Sequence, residues 1–168
     1  MYASDIEGDL TEVLVTEAEI QAKLAELARR IEADYAGRDI LLVGVLKGAV
    51  MVMADLAREL KPHVEMDWMA VSSYGAGTTS SGVVLIVEDI IDSGLTLSWL
   101  RANLESRGAA TVEICALLRK PDAAKVDVEV KYLGFDIPNR FVVGYGLDYA
   151  ERYRNLRDVA ILAPHVYS

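Results

Sequence analysis

The sequence predicts one α/β domain: a mainly parallel sheet flanked by helices, closed by a small C-terminal cap. Three observations predict it. Strand-like runs alternate with amphipathic helical stretches through roughly the first 120 residues. Two of those runs, Ile40–Leu46 and residues 83–87, are continuously apolar, as strands buried on both faces must be. The chain has 168 residues, 52% of them hydrophobic. That is enough to bury about 70% of the unfolded surface in a single core.

The elements follow in order. A short strand at residues 12–15 precedes Thr16-Glu17-Ala18-Glu19, which has the form of a capping box. The helix it opens carries Ile20, Leu24, Leu27 and Ile31 on one stripe and stops near Gly37. Lys47-Gly48 breaks the Ile40–Leu46 strand, and a second helix runs to about Leu60, before Pro62. Residues 64–71 form another strand, and residues 72–82, "SSYGAGTTSSG", are small, polar and glycine-rich, as expected of a mobile loop. A strand at 83–87, a helix at 96–107 ended by Gly108, and a strand at 111–118 complete the alternation. The remainder, with short strands at 126–135, 141–144 and Val159–Leu162, reads as the cap. The expected division is a core over about residues 10–120 and a cap over about 121–168 with the N-terminal residues, all one domain spanning 1–168.

The charge and composition exclude several function classes. A net charge of −9 argues against nucleic acid or an anionic membrane as partner. No apolar run reaches the ~18 residues of a membrane span, and the acidic start MYASDIEGDL lacks a secretory apolar region. The single Cys115 sits in an apolar run and suits a reducing compartment. The expectation is a cytoplasmic domain.

The chemistry gathers in "VLIVEDIIDSGLTL", residues 84–97. Ser93-Gly94-Leu95-Thr96 stands between a strand and a helix N-terminus, where outward N–H groups and the helix dipole favour an anion. The plainer reading is an ordinary tight turn with a cap. Glu88 and Asp89 end a buried strand, where unpaired carboxylates are costly, so they call for donors such as sugar hydroxyls or hydrated Mg2+. Asp92, on the turn, could face a reacting centre as acid or base. A solvated acidic loop does not explain acids placed after Val84-Leu85-Ile86-Val87, whereas a sugar phosphate does. Lys47, the 88–96 turn and Arg119-Lys120 all fall at strand carboxyl ends, where open α/β sheets collect ligands, so one shared site is expected.

"VLIVEDIIDSGLT" resembles the phosphoribosyl-pyrophosphate motif of type I phosphoribosyltransferases, and the rest resembles the hypoxanthine-guanine branch over nearly the whole chain. Leu46-Lys47-Gly48 is similar to that branch's pyrophosphate loop, and Ser72-Ser73-Tyr74-Gly75 to its flexible catalytic loop. "LLRKPD", residues 117–122, resembles the segment with the purine-contacting lysine, and "GFDIPNRFVVGYGLDYAERYRNL", residues 134–156, its hood. Each short piece is weak alone, but all of them in this order are specific.

The resemblance implies a type I phosphoribosyltransferase fold and Mg2+-dependent transfer of phosphoribosyl from phosphoribosyl pyrophosphate to hypoxanthine or guanine. Glu88 and Asp89 would hold the ribose hydroxyls, partly through Mg2+. Asp92 would act as acid/base group near purine N7, and Ser93, Gly94, Leu95 and Thr96 would bind the 5′-phosphate. Lys47 and Gly48 would contact pyrophosphate through their backbone, across a cis peptide after Leu46, and Arg154 would bind the pyrophosphate itself. Ser73 and Tyr74 would belong to the closing loop. Lys120 would donate to the purine 6-oxo group, Phe141 would stack on the ring, and the Val142 backbone would read its edge. Asp148, at the same site, would bind the pyrophosphate-side Mg2+. The plainer readings are a surface lysine for Lys120, core packing for Phe141 and a helix surface for Arg154. His63 and His165 are read as surface residues. The expected assembly is a homodimer or homotetramer.

In relatives of this kind a further strand and turn precede "VLIVEDI"; here Gly82-Val83-Val84 runs straight into Leu85, so about 15–20 residues are missing against usual connection lengths. This reads as a true deletion rather than a numbering artefact. If the flanking strands stay parallel, about a dozen residues must return along ~20 Å, which extended chain at ~3.3 Å per residue can span. Two other readings therefore stand beside the enzyme: a catalytically impaired homologue, and a regulator that keeps the fold but binds nucleotides or nucleic acid. Preference among hypoxanthine, guanine and xanthine is open.

Overall fold

The computed structural model describes residues 1–70 and 82–168. The expected closing-loop residues Ser73 and Tyr74 lie outside them. After a 3-10 turn at Ala3–Asp9 come β1 (Leu10–Val15), α1 (Glu17–Asp34), β2 (Ile40–Leu46), α2 (Val50–Glu59) and β3 (Val64–Ala70). Then follow β4 (Val83–Ile91), α3 (Leu95–Ser106), β5 (Thr111–Arg119), β6 (Tyr132–Asp136), β7 (Val142–Val143), β8 (Val159–Leu162) and α4 (Pro164–Tyr167). A five-stranded sheet has the order β3-β2-β4-β5-β6, parallel throughout. A three-stranded antiparallel sheet, β1-β8-β7, forms the cap from both ends of the chain.

The alternation along β4 shows why the helices divide between two faces. Val83, Leu85 and Val87 join one core with Ile20, Leu24 and Leu27 of α1 and Met53 and Leu56 of α2. Val84 and Ile86 turn the other way, into a second core with Leu97, Leu100 and Leu104 of α3. Successive side chains leave a strand on opposite faces, so a strand covered on both must be apolar throughout. At the head of α1 the expected capping box is formed: Thr16 Oγ1 accepts from the Glu19 N–H, and Glu19 reaches back to the Thr16 N–H at 2.8 Å.

Two elements differ from the sequence reading. β4 runs on to Ile91, paired with Arg119 of β5, so Glu88 and Asp89 lie inside the strand rather than at its end. Tyr132–Asp136, expected in the cap, is instead the outer strand of the main sheet. Its anchor is Tyr132, fully buried beside Cys115, whose hydroxyl donates to Asp34 at the end of α1 at 2.6 Å. The alternation of Val126, Val128, Val130 and Tyr132 marks a strand, but nothing in it says which sheet the strand joins.

β2 pairs with both β3 and β4, Ile40 lying opposite Val64 on one side and Val83 on the other. β3 and β4 therefore start level and run together. The chain leaves β3 at Ala70, level with Leu46, and must regain the level of Ile40 on the far side of β2. That is the return of about 20 Å that parallel strands impose. Among the described residues no helix is long and apolar enough to cross a membrane.

Leu85, with no exposure, lies in β4, the middle strand of the main sheet. Leu85→Ala is expected to lower unfolding stability by about 2–5 kcal/mol in urea titration; a loss below about 1 kcal/mol would contradict this placement.

Candidate active site

Parallel strands end at a common edge, so the segments after β2, β4 and β5 meet there. A cavity of about 250 Å³ is lined by Leu46, Glu88, Asp89, Asp92, Gly94 and Thr96, among others. Its floor is the Glu88-Asp89 pair, each only 8% exposed. Near the strand end the backbone turns to the acids themselves: the Asp89 N–H donates to Glu88 Oε1 at 3.1 Å and the Ile90 N–H to Asp89 Oδ1 at 2.8 Å. Burial, then the neighbouring Asp89 carboxylate, pushes the Glu88 carboxyl well above the usual carboxylate range.

Two adjacent, desolvated carboxylates are a donor set that a divalent cation would relieve. Among the described residues no cluster of three or more potential ligating side chains is assembled. A cation here would therefore take its remaining oxygens from water and ligand, which is the habit of Mg2+ more than of a caged metal.

The 93–96 turn is built for close backbone approach. Gly94 caps α3 in the left-handed region at φ 83°, and a side chain there would press on the Val126 carbonyl at 2.9 Å. Ser93 O accepts from the Lys125 and Val126 N–H groups at 2.9 and 3.1 Å, which fixes the turn. Thr96 is exposed beside it, in the first turn of a 12-residue helix. Opposite, the Leu46–Lys47 peptide is cis, as the resemblance implied. A side chain at Gly48 would collide with the Asp89 carboxylate, so only glycine lets this loop approach the acids.

Asp92 stands between two spaces. It lines the first cavity and also a second, of about 160 Å³, with Lys120 and Pro121. The Lys120 ammonium lies 3.7 Å from the Asp92 carboxylate, and the side chain is only 10% exposed against 59% for Asp92. Lys120 is thus no solvated surface lysine, whereas its neighbour Arg119 points away into a two-bond pair with Asp136 at 2.7 and 3.0 Å.

The hood supplies the rest. Lys47 Nζ reaches Glu151 at 3.0 Å, Glu151 also binds Arg154 at 3.1 Å, and Arg154 lies 3.3 Å from Asp148. The run 151–154, read from sequence as a possible helix surface, is instead a tight turn: Ala150, Glu151 and Tyr153 hold φ of 50°, 62° and 77°. Phe141 is 39% exposed rather than packed in the core. Its ring stacks on Tyr167 at 4.9 Å and meets Tyr149 edge-on at 5.7 Å. Val142 is buried and pairs with Ile161. Glu151 and Tyr167 are the two residues sequence reasoning missed. One was hidden in a charged run, and the other had no pattern around it.

A family model described as "Phosphoribosyl transferase domain" matches residues 14–150. The chain belongs to the phosphoribosyl transferase family. This phosphoribosyl transferase is 52% identical to a hypoxanthine-guanine phosphoribosyltransferase of Mycobacterium tuberculosis, over 95% of this chain and 90% of the relative. It is 47% identical to the enzyme of that name from Streptococcus agalactiae, over 97% and 99%. Among solved structures it superposes on a hypoxanthine phosphoribosyltransferase of Staphylococcus aureus with TM-score 0.91 and 43% identity, covering 98% of this chain and 97% of the other. The Trypanosoma cruzi hypoxanthine phosphoribosyltransferase in complex with the product IMP gives 0.87 and 39%, covering 94% and 93%. The mycobacterial alignment runs over 181 residues while 95% of these 168 take part, about 160, so some 20 aligned positions have no residue here.

The raised carboxyl of Glu88 carries a pH prediction. A folded-state value above the unfolded one gives stability that is full below about 4.5 and is lost as pH rises through the raised value. Glu88→Gln removes that loss. The ligand-free variant is expected to melt above the wild type at about pH 8, with the gain shrinking towards pH 5. A Tm difference independent of pH would contradict the assignment.

Proposed function

We propose that this phosphoribosyl transferase performs purine salvage, moving 5-phosphoribosyl from phosphoribosyl pyrophosphate to hypoxanthine or guanine with release of pyrophosphate and formation of IMP or GMP. The observation that carries the reading is a meeting at one sheet edge: a glycine-capped helix N-terminus, two buried carboxylates and a buried lysine paired with the turn aspartate. Each answers one part of a ribose phosphate and an oxo purine. The relatives' names agree with this reading.

In this reading the N–H groups of residues 93–96, with Ser93 and Thr96, bind the 5′-phosphate. Glu88 and Asp89 accept from the ribose hydroxyls and hold Mg2+, with Asp148 on the pyrophosphate side. Mg2+, when bound, supplies positive charge to the departing pyrophosphate. The Lys47 and Gly48 backbone and Arg154 hold that leaving group. As its bond to the anomeric carbon breaks, a purine nitrogen bonds that carbon, and Asp92 manages the purine N7 proton. Lys120 donates to the 6-oxo group, Phe141 stacks on the ring and the Val142 backbone reads its edge. Adenine offers a donor where Lys120 is also a donor, and an unpaired buried polar group of this kind can cost ~10⁴-fold in discrimination.

Leu46 and Val50, exposed at 41% and 37% beside the pyrophosphate loop, support assembly into a homodimer or homotetramer, to be read by light scattering. A reducing, cytoplasmic setting suits Cys115, whose thiol burial pushes up to about 12.

The test is nucleotide formation from Mg2+, phosphoribosyl pyrophosphate and each of hypoxanthine, guanine, xanthine and adenine. Turnover with hypoxanthine or guanine and none with adenine is expected. Binding of phosphoribosyl pyrophosphate without turnover of any base would point to an impaired enzyme and to the short β3–β4 connection. Asp92→Asn is expected to lower kcat by about 10²-fold or more, with binding of phosphoribosyl pyrophosphate largely kept. Unchanged kcat would refute the proton role.

A further inference from the structure

One tight turn of the hood stands between the two sets of groups assigned to pyrophosphate, the Lys47-Gly48 backbone and Arg154. Residues 144–147 form it, closed by hydrogen bonds between Gly144 and Leu147 at 3.0 Å in both directions. On one side Gly146 packs so closely on the Gly48 carbonyl that any side chain there would collide with it. On the other, the Gly146 carbonyl accepts from Arg154 Nη1 at 2.7 Å, and the Gly146 N–H donates to the Arg154 carbonyl at 2.9 Å. Gly48 in turn lies against the Asp89 carboxylate, on the floor of the edge cavity. The turn therefore fixes the spacing between the pyrophosphate loop and the guanidinium.

Gly144, Tyr145 and Gly146 all hold positive φ, of 101°, 51° and 97°. Glycine enters that region freely, but a bulky side chain is an outlier there and persists only where its surroundings enforce it. The Tyr145 side chain shows what enforces it. It is 6% exposed and shares the main core with Met53 and Leu56 of α2. Its hydroxyl donates to Asp55 of α2, and Asp55 also accepts from Gln21 Nε2 of α1 at 3.1 Å, so the acceptor is itself held. Burial, then the bond to Asp55, raises the hydroxyl above the usual phenol range, which keeps it a donor. Since α2 begins at Val50, two residues past Gly48, the anchor of the turn belongs to the same rigid piece as the loop the turn touches.

We propose that Tyr145 is a positioning residue for pyrophosphate: its hydroxyl, fastened to Asp55, seats the 144–147 turn so that the Gly48 backbone and Arg154 stand ready together. This rests on the phosphoribosyl-transfer reading above and adds to it the residue pair that preorganises the leaving-group half of the site. Without the hydroxyl the ring can stay packed, but the turn is no longer held down. The ligand must then order Gly146 and Arg154 as it binds, and its affinity falls. Lys120, after β5, and Phe141, before β7, are anchored elsewhere, so the purine half is spared.

Steady-state kinetics and calorimetry of magnesium pyrophosphate test this on wild type, Tyr145→Phe, Asp55→Ala and Asp55→Asn. The control is Tyr132→Phe, which loses a like hydroxyl bond, to Asp34, away from the site. Tyr145→Phe and Asp55→Ala are each expected to raise the KM for phosphoribosyl pyrophosphate and the Kd for magnesium pyrophosphate about three- to tenfold. The KM for hypoxanthine should hold, Asp55→Asn, which keeps an acceptor, should stay near wild type, and the double variant should be no worse than either single. An unchanged pyrophosphate Kd in Tyr145→Phe would overturn the proposal, marking the bond as one that only holds the fold. An equal rise in the KM for hypoxanthine, or the same rise in Tyr132→Phe, would overturn it as general loosening. A wild type that binds magnesium pyrophosphate without forming nucleotide would sink the transfer reading and leave the Kd comparison to decide this one. A wild type that does neither would overturn both.

Discussion

The parallel pairing of β4 with β2 on one side and β5 on the other is the constraint on which the rest depends. Buried on both faces, the strand has no choice of register, because a slip of one residue would exchange the side chains of its two cores. With register fixed, Glu88 and Asp89 are carried past the last pairing with β2 at Val87, and Ile91 is set beside Arg119. The acids are therefore desolvated by the same burial that builds the sheet. The raised proton affinity of Glu88 is a cost taken up in the fold, and it is recovered only when a ligand brings donors or a cation to the pair.

The site balances charge locally against an acidic whole. The chain carries −9, yet the strand-end edge gathers Lys47, Lys120 and the N-terminus of α3. Lys120 is buried and faces Asp92, whereas Lys47 and Glu151 are open to water. The proposed reading thus asks a fixed, dry cation to discriminate the base.

Much of this was legible in the sequence because periodicity and turn chemistry report burial directly. The apolar run of β2, the capping box at Thr16 and the glycine before α3 all stand where their residues place them. The motif from Val84 to Leu97 likewise gathered at one edge. Less legible were contacts with no period. Tyr132 brings β6 into the main sheet through one buried ring and one hydrogen bond to Asp34. Glu151 sits in a charged run whose geometry is set by positive φ angles that alanine, glutamate and tyrosine do not advertise. Tyr167 reaches Phe141 only because β8 returns the chain to β7. Such contacts are made by distant segments, and a local reading sees only one side of each.

The cap sheet has a thermodynamic side as well. Leu10 pairs with Leu162, so β1 and β8 close a loop of about 150 residues, whereas each parallel pair of the main sheet joins segments a few tens of residues apart. The cap's three strands share a short ladder. One face keeps a small core of Val143, Tyr153, Leu156, Ala160 and Leu162, while Val15, Val142, Val159 and Ile161 on the other join the main core with α1 and α2. Among the described residues no ladder joins the two sheets, so apolar packing and not strand pairing holds the hood, with Phe141, Asp148 and Arg154, over the acids of β4. That packing is what offsets the entropy of closing so long a loop.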